Sequence, residues 1–459
     1  MERNEVRIES LLTEQNQTIA AIATPRGMGG IGVIRISGPQ AHAIACRLNA
    51  PPARPRSARY ARFYDAQGEV IDDGMILWFP APRSFTGEDV VELHVHSSPL
   101  LIQTLLEQCI RLGARLARAG EFSQRAFLNG KLDLAQAEAI ADLIAAADLR
   151  AARAARRSLD GRFSNQCHSL ADQLTKLRVQ IEAQIDFSDE ALDGASDARL
   201  CDAFQQLLHQ FQQLRKHAAQ GRRLRDGWHC VLLGPPNAGK SALLNALVGC
   251  ERAIVTEIAG TTRDLLRERI TINDTEMTLV DTAGLRSQTA DPIEQEGIRR
   301  THAELLEADL VLVVLDSNQL HTDRSAVADA VAQVSHVLWV YNKSDSLSQP
   351  MSLDDDNCVL VSALTGDGID NLLARIERHI QSVVGEAGEG EFSARLRHID
   401  ALERAEAHLS EALQLFRCAS LELAAEELRF SHAATGEITG HTYPDDLLGE
   451  IFSSFCIGK

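Results

Sequence analysis

The 459-residue sequence predicts three folds in one chain: an α+β N-terminal domain, an all-α helical domain, and an α/β P-loop domain inserted into the helical one. Three observations carry this reading. The length exceeds what one ordinary core holds. Two stretches dominated by Ala, Leu, Gln, Arg and Glu flank a central segment in which apolar strand runs alternate with helices. That segment opens on G-x-x-x-x-G-K-S directly after an apolar run. The expected division is 1–119 for the N-terminal domain, 120–227 and 384–459 for the two helical parts, and 228–383 for the inserted domain.

In chain order, Thr18–Ala23, Gly32–Ile36, Gly74–Phe79 and Val90–Val95 read as strands, separated by turns. Pro25–Gly30 (PRGMGG) reads as a loop, and Pro99–Leu112 as an amphipathic helix. From Ser123 to Gly221 apolar residues recur at helical spacing, as in Leu134, Ala137, Ile140, Ala141 and Ile144. The same character returns at Ala394–Phe430, after the Gly-rich Gly385–Glu391. Neither stretch closes a core alone, so the two are expected to pack as one discontinuous bundle. Between them His229–Leu233, Met277–Asp281, Leu310–Leu315, Val337–Tyr341 and Val359–Val361 are strand runs with helices between most of them. This alternation predicts a mostly parallel sheet covered on both faces.

Composition narrows the setting. No run of 18 apolar residues appears, so no membrane span or membrane partner is expected. Met1–Gln17 is charged and polar, without the apolar core of a signal peptide. Nine dispersed cysteines without C-x-x-C spacing read as reduced thiols of a cytoplasmic protein. The net charge of −18 is uneven: residues 1–250 hold 29 basic and 27 acidic side chains, and residues 251–459 hold 17 and 37. Phosphate contacts need Lys and Arg, so any RNA contact is expected in the first half. Its richest basic runs are Arg150–Arg157 and Arg222, Arg223 and Arg225, and the plainer reading of both is a solvated helix face or a domain junction.

The chemistry-bearing motifs lie in the central segment. Gly234-Pro-Pro-Asn237-Ala238-Gly239-Lys240-Ser241 follows a strand and opens a helix at Ala242. Its glycines let backbone N–H groups turn toward phosphate oxygens, Lys240 reaches the β- and γ-phosphates, and Ser241 holds Mg²⁺. Asp281-Thr282-Ala283-Gly284 follows the next apolar strand on the Mg²⁺ side. Thr261-Thr262-Arg263 lies between the two, where a switch threonine, Thr262, closes on Mg²⁺. Asn342-Lys343-Ser344-Asp345 places a carboxylate to accept both N1–H and N2–H of guanine, a pattern adenine lacks. Ser362-Ala363-Leu364 supplies a backbone N–H toward guanine O6. Five motifs in this order, each after the right element, predict a Ras-like P-loop GTPase with GTP as substrate. The position after Gly284, where many GTPases carry a water-orienting Gln, is Leu285. Asp291, Glu294 and Glu296 are nearby acids, and spacing alone does not choose among them.

The whole chain resembles the MnmE (TrmE) family of tRNA-modifying GTPases. The resemblance rests on TIAAIATPRGMGGIGVIRISG at 18–38, SFTGEDVVELH at 84–94, GEFSQRAFLNGKLDLAQAEAIADLI at 120–144, GPPNAGKSALLNAL at 234–247, IVTEIAGTTRD at 254–264, DTAGLR at 281–286 and FCIGK at 455–459. It implies a folate-binding N-terminal domain, a homodimer formed through it, and work with the flavoprotein MnmG on carbon 5 of the wobble uridine of certain tRNAs. The cofactors implied are K⁺, Mg²⁺ and a reduced folate, 5,10-methylene- or 5-formyl-tetrahydrofolate. Carried over by position, Asn237 binds K⁺ with Thr256, Ile258 and Thr261, in a nucleotide loop that includes Glu257, Ala259 and Gly260. Glu294 then handles the attacking water, with Lys240 at the phosphates. Arg35, Glu92, Lys131 and Lys459 match folate-contact positions. One departure stands beside that site: His96-Ser97-Ser98 occupies a place where the family often has His-Gly-Gly, and serine restricts the close approach that glycine allows. Cys456 fits a prenylation box badly and reads better as a free thiol beside the folate site. The runner-up is a ribosome-assembly or RNA-binding switch GTPase. It would need an RNA-binding module after the GTPase domain, where this chain has acidic helix ending in FCIGK.

Overall fold

The computed structural model describes residues 17–25, 27–48, 54–146, 148–186, 194–249, 253–255, 267–272, 275–281, 304–305, 308–318, 327, 330–331, 334, 336–347, 355, 357–385, 392–441, 445–453, 455 and 458. The chain forms two compact units: Met1–Ile144 with Ser158–Gln212 and Asp400–Lys459, and Ala145–Arg157 with Gln213–Ile399.

The first unit begins with a six-stranded sheet. Its strands are β1 (Ile19–Ile22), β2 (Gly29–Ser37), β3 (Arg59–Tyr64), β4 (Val70–Phe79), β5 (Val90–Ser97) and β6 (Arg115–Leu116), in the order β3-β4-β5-β2-β1-β6. Alternate residues, Ile34, Ile36, Leu93, Ile76 and Phe63, point to one face. The helices Ala41–Arg47 and Pro99–Arg111 cover that face with Ile44, Ile102, Leu105 and Leu106. Pro99 suits the first helical turn, where its missing N–H costs nothing. Two expectations shift here. Gly29 and Gly30 belong to β2, with a register irregularity between Gly29 and Gly32, so the PRGMGG loop is shorter than its glycines suggest. The edge strand β3 has no clean apolar alternation to announce it, because only Ala61 and Phe63 reach the core.

The helical part of the same unit packs Arg162–Asp186 along Leu421–Thr439. Leu170, Leu174, Leu177 and Ile181 make its buried stripe at spacings of four and three, the period of one helix face. Phe204 and Phe416, 5.7 Å apart between ring centroids, join the two helical stretches that the sequence separates. The chain end then returns to the start: Leu448, Ile451, Phe452 and Phe455 form a cluster with Leu134 and Ala137.

The second unit carries a seven-stranded sheet. Its strands are β7 (Trp228–Leu233), β8 (Ala253–Val255), β9 (Arg267–Ile272), β10 (Thr275–Asp281), β11 (Leu310–Asp316), β12 (Val337–Asn342) and β13 (Cys358–Leu360), ordered β13-β12-β11-β7-β10-β9-β8. Strands β13, β12, β11, β7 and β10 run parallel, and β9 and β8 add an antiparallel edge. Both faces are apolar: Cys230, Leu232, Leu312 and Val314 pack to one side, and Val231, Leu233, Val311 and Val313 to the other. The β8–β9 edge is absent from the sequence reading, since β9 (RERITI) opens on three consecutive charges and β8 (AIV) is only three residues long.

Candidate functional site

The described nucleotide motifs, Gly234–Ser241, Asp281, Asn342–Asp345 and Ser362–Leu364, sit at the carboxyl ends of parallel strands, where open α/β sheets bind their ligands. Strand β7 ends at Leu233, and the loop that follows runs to the helix Lys240–Val248. Three backbone positions shape it: Gly234 at φ +157°, Asn237 at +65° and Gly239 at +91°. A Cβ on Gly239 would lie 2.2 Å from Asn342 Nδ2, so only glycine fits there. Lys240 is buried, and its ammonium donates to Gly234 O at 2.8 Å and Pro235 O at 2.9 Å, which holds it on the inner wall of the loop. Ser241 Oγ donates to Asp281 Oδ2 at 2.7 Å. Asp281 is fully buried at the end of β10. A hydroxyl and a buried carboxylate in contact form an oxygen donor set suited to Mg²⁺, a hard cation.

The base-side loops are tied to the phosphate-side loop by one residue. Asn342 Nδ2 donates to Ala238 O at 3.0 Å, and Asn342 Oδ1 accepts from Ala363 N at 3.0 Å. Asn342 is buried, so both bonds form in a low dielectric. Ser362 Oγ donates to Asp345 Oδ1 at 2.5 Å, which orients that carboxylate before any base arrives. Leu364 is exposed beside them. Lys343, at φ +64°, ion-pairs with Asp316 Oδ2 at 2.8 Å. Burial pushes the Asp316 carboxyl up, but the hydrogen bonds from Lys343 and Asn318 outweigh it and hold it below the ordinary value. Sequence reading missed Asp316 and Ser317, whose hydroxyl donates to Lys343 O at 3.0 Å. The usable signal was a polar D-S-N at 316–318, directly after the all-apolar run Leu310–Leu315 of β11.

The candidates Thr256, Glu257, Ile258, Ala259, Gly260, Thr261, Thr262, Thr282, Ala283, Gly284 and Glu294 lie outside the described residues, as do Cys456 and Lys459.

In the N-terminal sheet, Arg35 on β2 and Glu92 on β5 are direct cross-strand partners. Arg35 Nε donates to Glu92 Oε1 at 2.9 Å, and both side chains stay partly exposed. Phe85 and Phe122 place their rings 5.5 and 5.8 Å from the guanidinium. His94 Nε2 lies 3.3 Å from the other Glu92 oxygen. A cation, a carboxylate and the partly exposed Phe85 ring suit a flat ligand with an acidic tail, while the fully buried Phe122 backs the guanidinium from the core. Lys131 is exposed and donates to Pro82 O at 3.2 Å, so it meets the 80–87 segment, which also carries Phe85. Gly458, at φ +98°, packs so closely that a Cβ would lie 2.4 Å from Ile22 O. Strand β1 pairs Ile22 with Ile34 and Ala21 with Arg35, so the chain terminus approaches this sheet beside Arg35. Ser97, in the departure from His-Gly-Gly, is buried and donates from Oγ to Gly27 O at 3.2 Å, tying β5 to the PRGMGG loop.

Known proteins align with this chain over nearly its full length. The model described as "GTP-binding protein TrmE N-terminus" matches residues 18–131, and "MnmE helical domain" matches 134–456. A curated "tRNA modification GTPase MnmE" from Xylella fastidiosa (strain Temecula1) is 56% identical over 447 residues, which is 97% of this chain and 99% of that one. The protein of the same description from Xanthomonas campestris pv. campestris (strain B100) is 58% identical over 442 residues, 96% of this chain and 99% of its own length. Among solved structures, the G domain of the T. maritima FeoB iron transporter is 22% identical, covers 34% of this chain and 99% of its own, and gives a TM-score of 0.26. With both family models and relatives of this identity and coverage, the chain belongs to the MnmE family of tRNA modification GTPases.

Proposed function

We propose that this chain hydrolyses GTP in a K⁺- and Mg²⁺-dependent cycle and works with MnmG to modify carbon 5 of the wobble uridine of certain tRNAs. The carboxymethylaminomethyl group takes its one-carbon unit from a tetrahydrofolate bound at the N-terminal sheet. The observation that carries the nucleotide half is the Ser241–Asp281 contact beside Lys240, in a loop braced by Asn342. In this reading Lys240 binds phosphate oxygens, Ser241 and Thr262 hold Mg²⁺, and Asn237, Thr256, Ile258 and Thr261 hold K⁺. The K⁺ supplies positive charge at the phosphates where Leu285 leaves no water-orienting Gln. Glu294 orients the attacking water. Asp345 reads guanine, with Ser362 fixing its carboxylate.

For the folate half, Arg35 binds the acidic tail, Glu92 the amino edge of the pterin, and Lys131 and Lys459 add cations. Cys456 is the thiol closest in sequence to that site. The protein is a cytoplasmic homodimer paired through the N-terminal domain, and the divisions 1–119, 120–227, 228–383 and 384–459 are its functional parts. No helix among the described residues is long and apolar enough to cross a membrane.

The test separates the two halves. In a strain lacking the native protein, Ser241→Ala is expected to lose both GTP hydrolysis and the modified wobble uridine, read by mass analysis of tRNA nucleosides. Cys456→Ser is expected to hydrolyse GTP at near-normal rate, faster in KCl than in NaCl, yet leave the uridine unmodified. Normal modified uridine in the Ser241→Ala strain would overturn the proposal as a whole. Normal modified uridine in the Cys456→Ser strain would remove Cys456 from it.

A further inference from the structure

Three segments far apart in sequence meet in the second unit, and together they concentrate positive charge. They are 145–157, 213–227 and 392–399. Ser393 N donates to Ala154 O at 3.3 Å, which seats the third segment on the first. Gly221 packs against the third from the other helix, so tightly that a Cβ there would lie 2.3 Å from Phe392 O and 3.1 Å from Ala394 N. The three segments hold eleven basic residues (Arg150, Arg153, Arg156, Arg157, Arg215, Lys216, Arg222, Arg223, Arg225, Arg395 and Arg397) against two acidic ones, Asp148 and Asp226. Counting only their own residues, the three segments carry a surplus of nine positive charges in a chain whose net charge is −18.

Part of this charge serves the fold. Arg223 Nε pairs with the buried Asp309 at 2.7 Å, Arg222 lies 3.7 Å from the same carboxylate, and Arg225 pairs with Asp226 at 2.7 Å. The helix Leu149–Leu159 divides differently. Ala151, Ala154 and Ala155 are buried, while Arg150, Arg153 and Arg156 are exposed. Arg150, Arg153 and Arg157 recur at spacings of three and four, one stripe of a helix. Lys216 on the neighbouring helix is also exposed. All but one of the eleven are arginine, whose planar fork suits phosphate oxygens. The charge repulsion in this patch is unfavourable for folding alone.

Taking the tRNA-modification reading as its premise, we infer that this three-segment basic surface is where the RNA phosphate backbone binds, with Arg150 and Arg153 as direct phosphate contacts. The recognition is by charge and not by base, so it orients the tRNA without selecting its sequence.

The experiment uses the full chain and an unmodified tRNA transcript, with binding followed by fluorescence anisotropy across a salt series. Arg150→Ala/Arg153→Ala keeps good helix formers at both positions. Its affinity is expected to fall about 10- to 30-fold near 0.1 M salt, and the slope of log K against log salt to drop by about 1.5 to 2. GTP hydrolysis without RNA should be unchanged, and Arg150→Lys/Arg153→Lys should keep most of the binding. If the native chain binds the transcript and the alanine variant matches it in affinity and slope, the surface assignment is overturned while the tRNA reading stands. Unchanged RNA affinity with weakened association to an acidic protein partner also overturns it and moves the surface to that partner. A native chain that binds no tRNA at all while hydrolysing GTP overturns the premise itself.

Discussion

Asp345 shows how single residues share the work at the base side. Its carboxylate accepts from Ser362 Oγ at 2.5 Å, so it meets a ligand already oriented, and little side-chain entropy remains to lose. Asn342, two bonds away in function, joins the loop at Ala238 to the loop at Ala363. Guanine presents two donors to a carboxylate, while xanthine presents a carbonyl where guanine has its amino group. Asp345→Asn is therefore expected to exchange the preference, with GTP affinity falling about a hundredfold or more and xanthosine triphosphate gaining. Competition titration with both nucleotides checks this, and an unchanged GTP preference would refute the role given to Asp345.

At the scale of elements, the turn from β7 into the helix Lys240–Val248 depends on a single missing side chain. Gly239 combines a left-handed φ with a Cβ position 2.2 Å from Asn342 Nδ2. Alanine there pays for the backbone conformation and also displaces the Asn342 amide from Ala238 O. Gly239→Ala is expected to cost about 1–3 kcal/mol of stability and most of the GTP affinity. Gly68 provides the control: its φ is +86° but nothing lies within 4 Å of the added atom. Gly68→Ala should cost about 1–2 kcal/mol from backbone strain alone and leave GTP binding intact. Denaturant titration and nucleotide binding measured on both variants separate backbone strain from collision. Equal GTP affinity in the two would show that the Asn342 brace is dispensable.

Over the whole molecule, stability is expected to fall on acidification, because each unit holds a histidine whose pKa is lowered. Burial lowers His379, with the neighbouring His336 adding to it, and burial lowers His432, with Arg178 adding to it. An unfolded imidazole with a pKa of 6.5 takes up a proton that the folded one resists. Both histidines thus contribute stability that is full above pH 6.5 and is lost as pH falls toward their folded values. Glu121 acts in the same direction at lower pH. Burial raises its pKa, but hydrogen bonds from Arg115 and the Arg118 backbone, with the charges of Arg115 and Arg125, outweigh that and lower it. Melting temperatures measured from pH 7.5 to pH 5.5 should decline, and His379→Gln should flatten the decline for the unit that contains it. A melting temperature that rises as pH drops would contradict the burial of both rings.

Much of the nucleotide site was legible in the residues alone, because each motif is a short loop fixed by the strand before it. Gly234–Ser241, Asp281, Asn342–Asp345 and Ser362–Leu364 needed only local periodicity to be placed at strand ends. The three fold types followed from the same signal, since helical and strand periods differ. What required the tertiary structure was every relation between distant segments. The cross-strand meeting of Arg35 with Glu92, the anchoring of Lys343 by Asp316, and the return of Gly458 to β1 depend on register and chain closure. No window of sequence contains either. The edge strand β3 and the β8–β9 pair beyond β10 belong to the same class, because they take their stability from their neighbours' hydrogen bonds and not from an apolar pattern of their own. The basic runs at 150–157 and 222–225 read singly as solvated helix faces or domain junctions, and only the packing of Ala154 and Gly221 on residues 392–394 brings the two runs together. Local chemistry is written in neighbouring residues, whereas charge density and pairing are properties of where the backbone brings them.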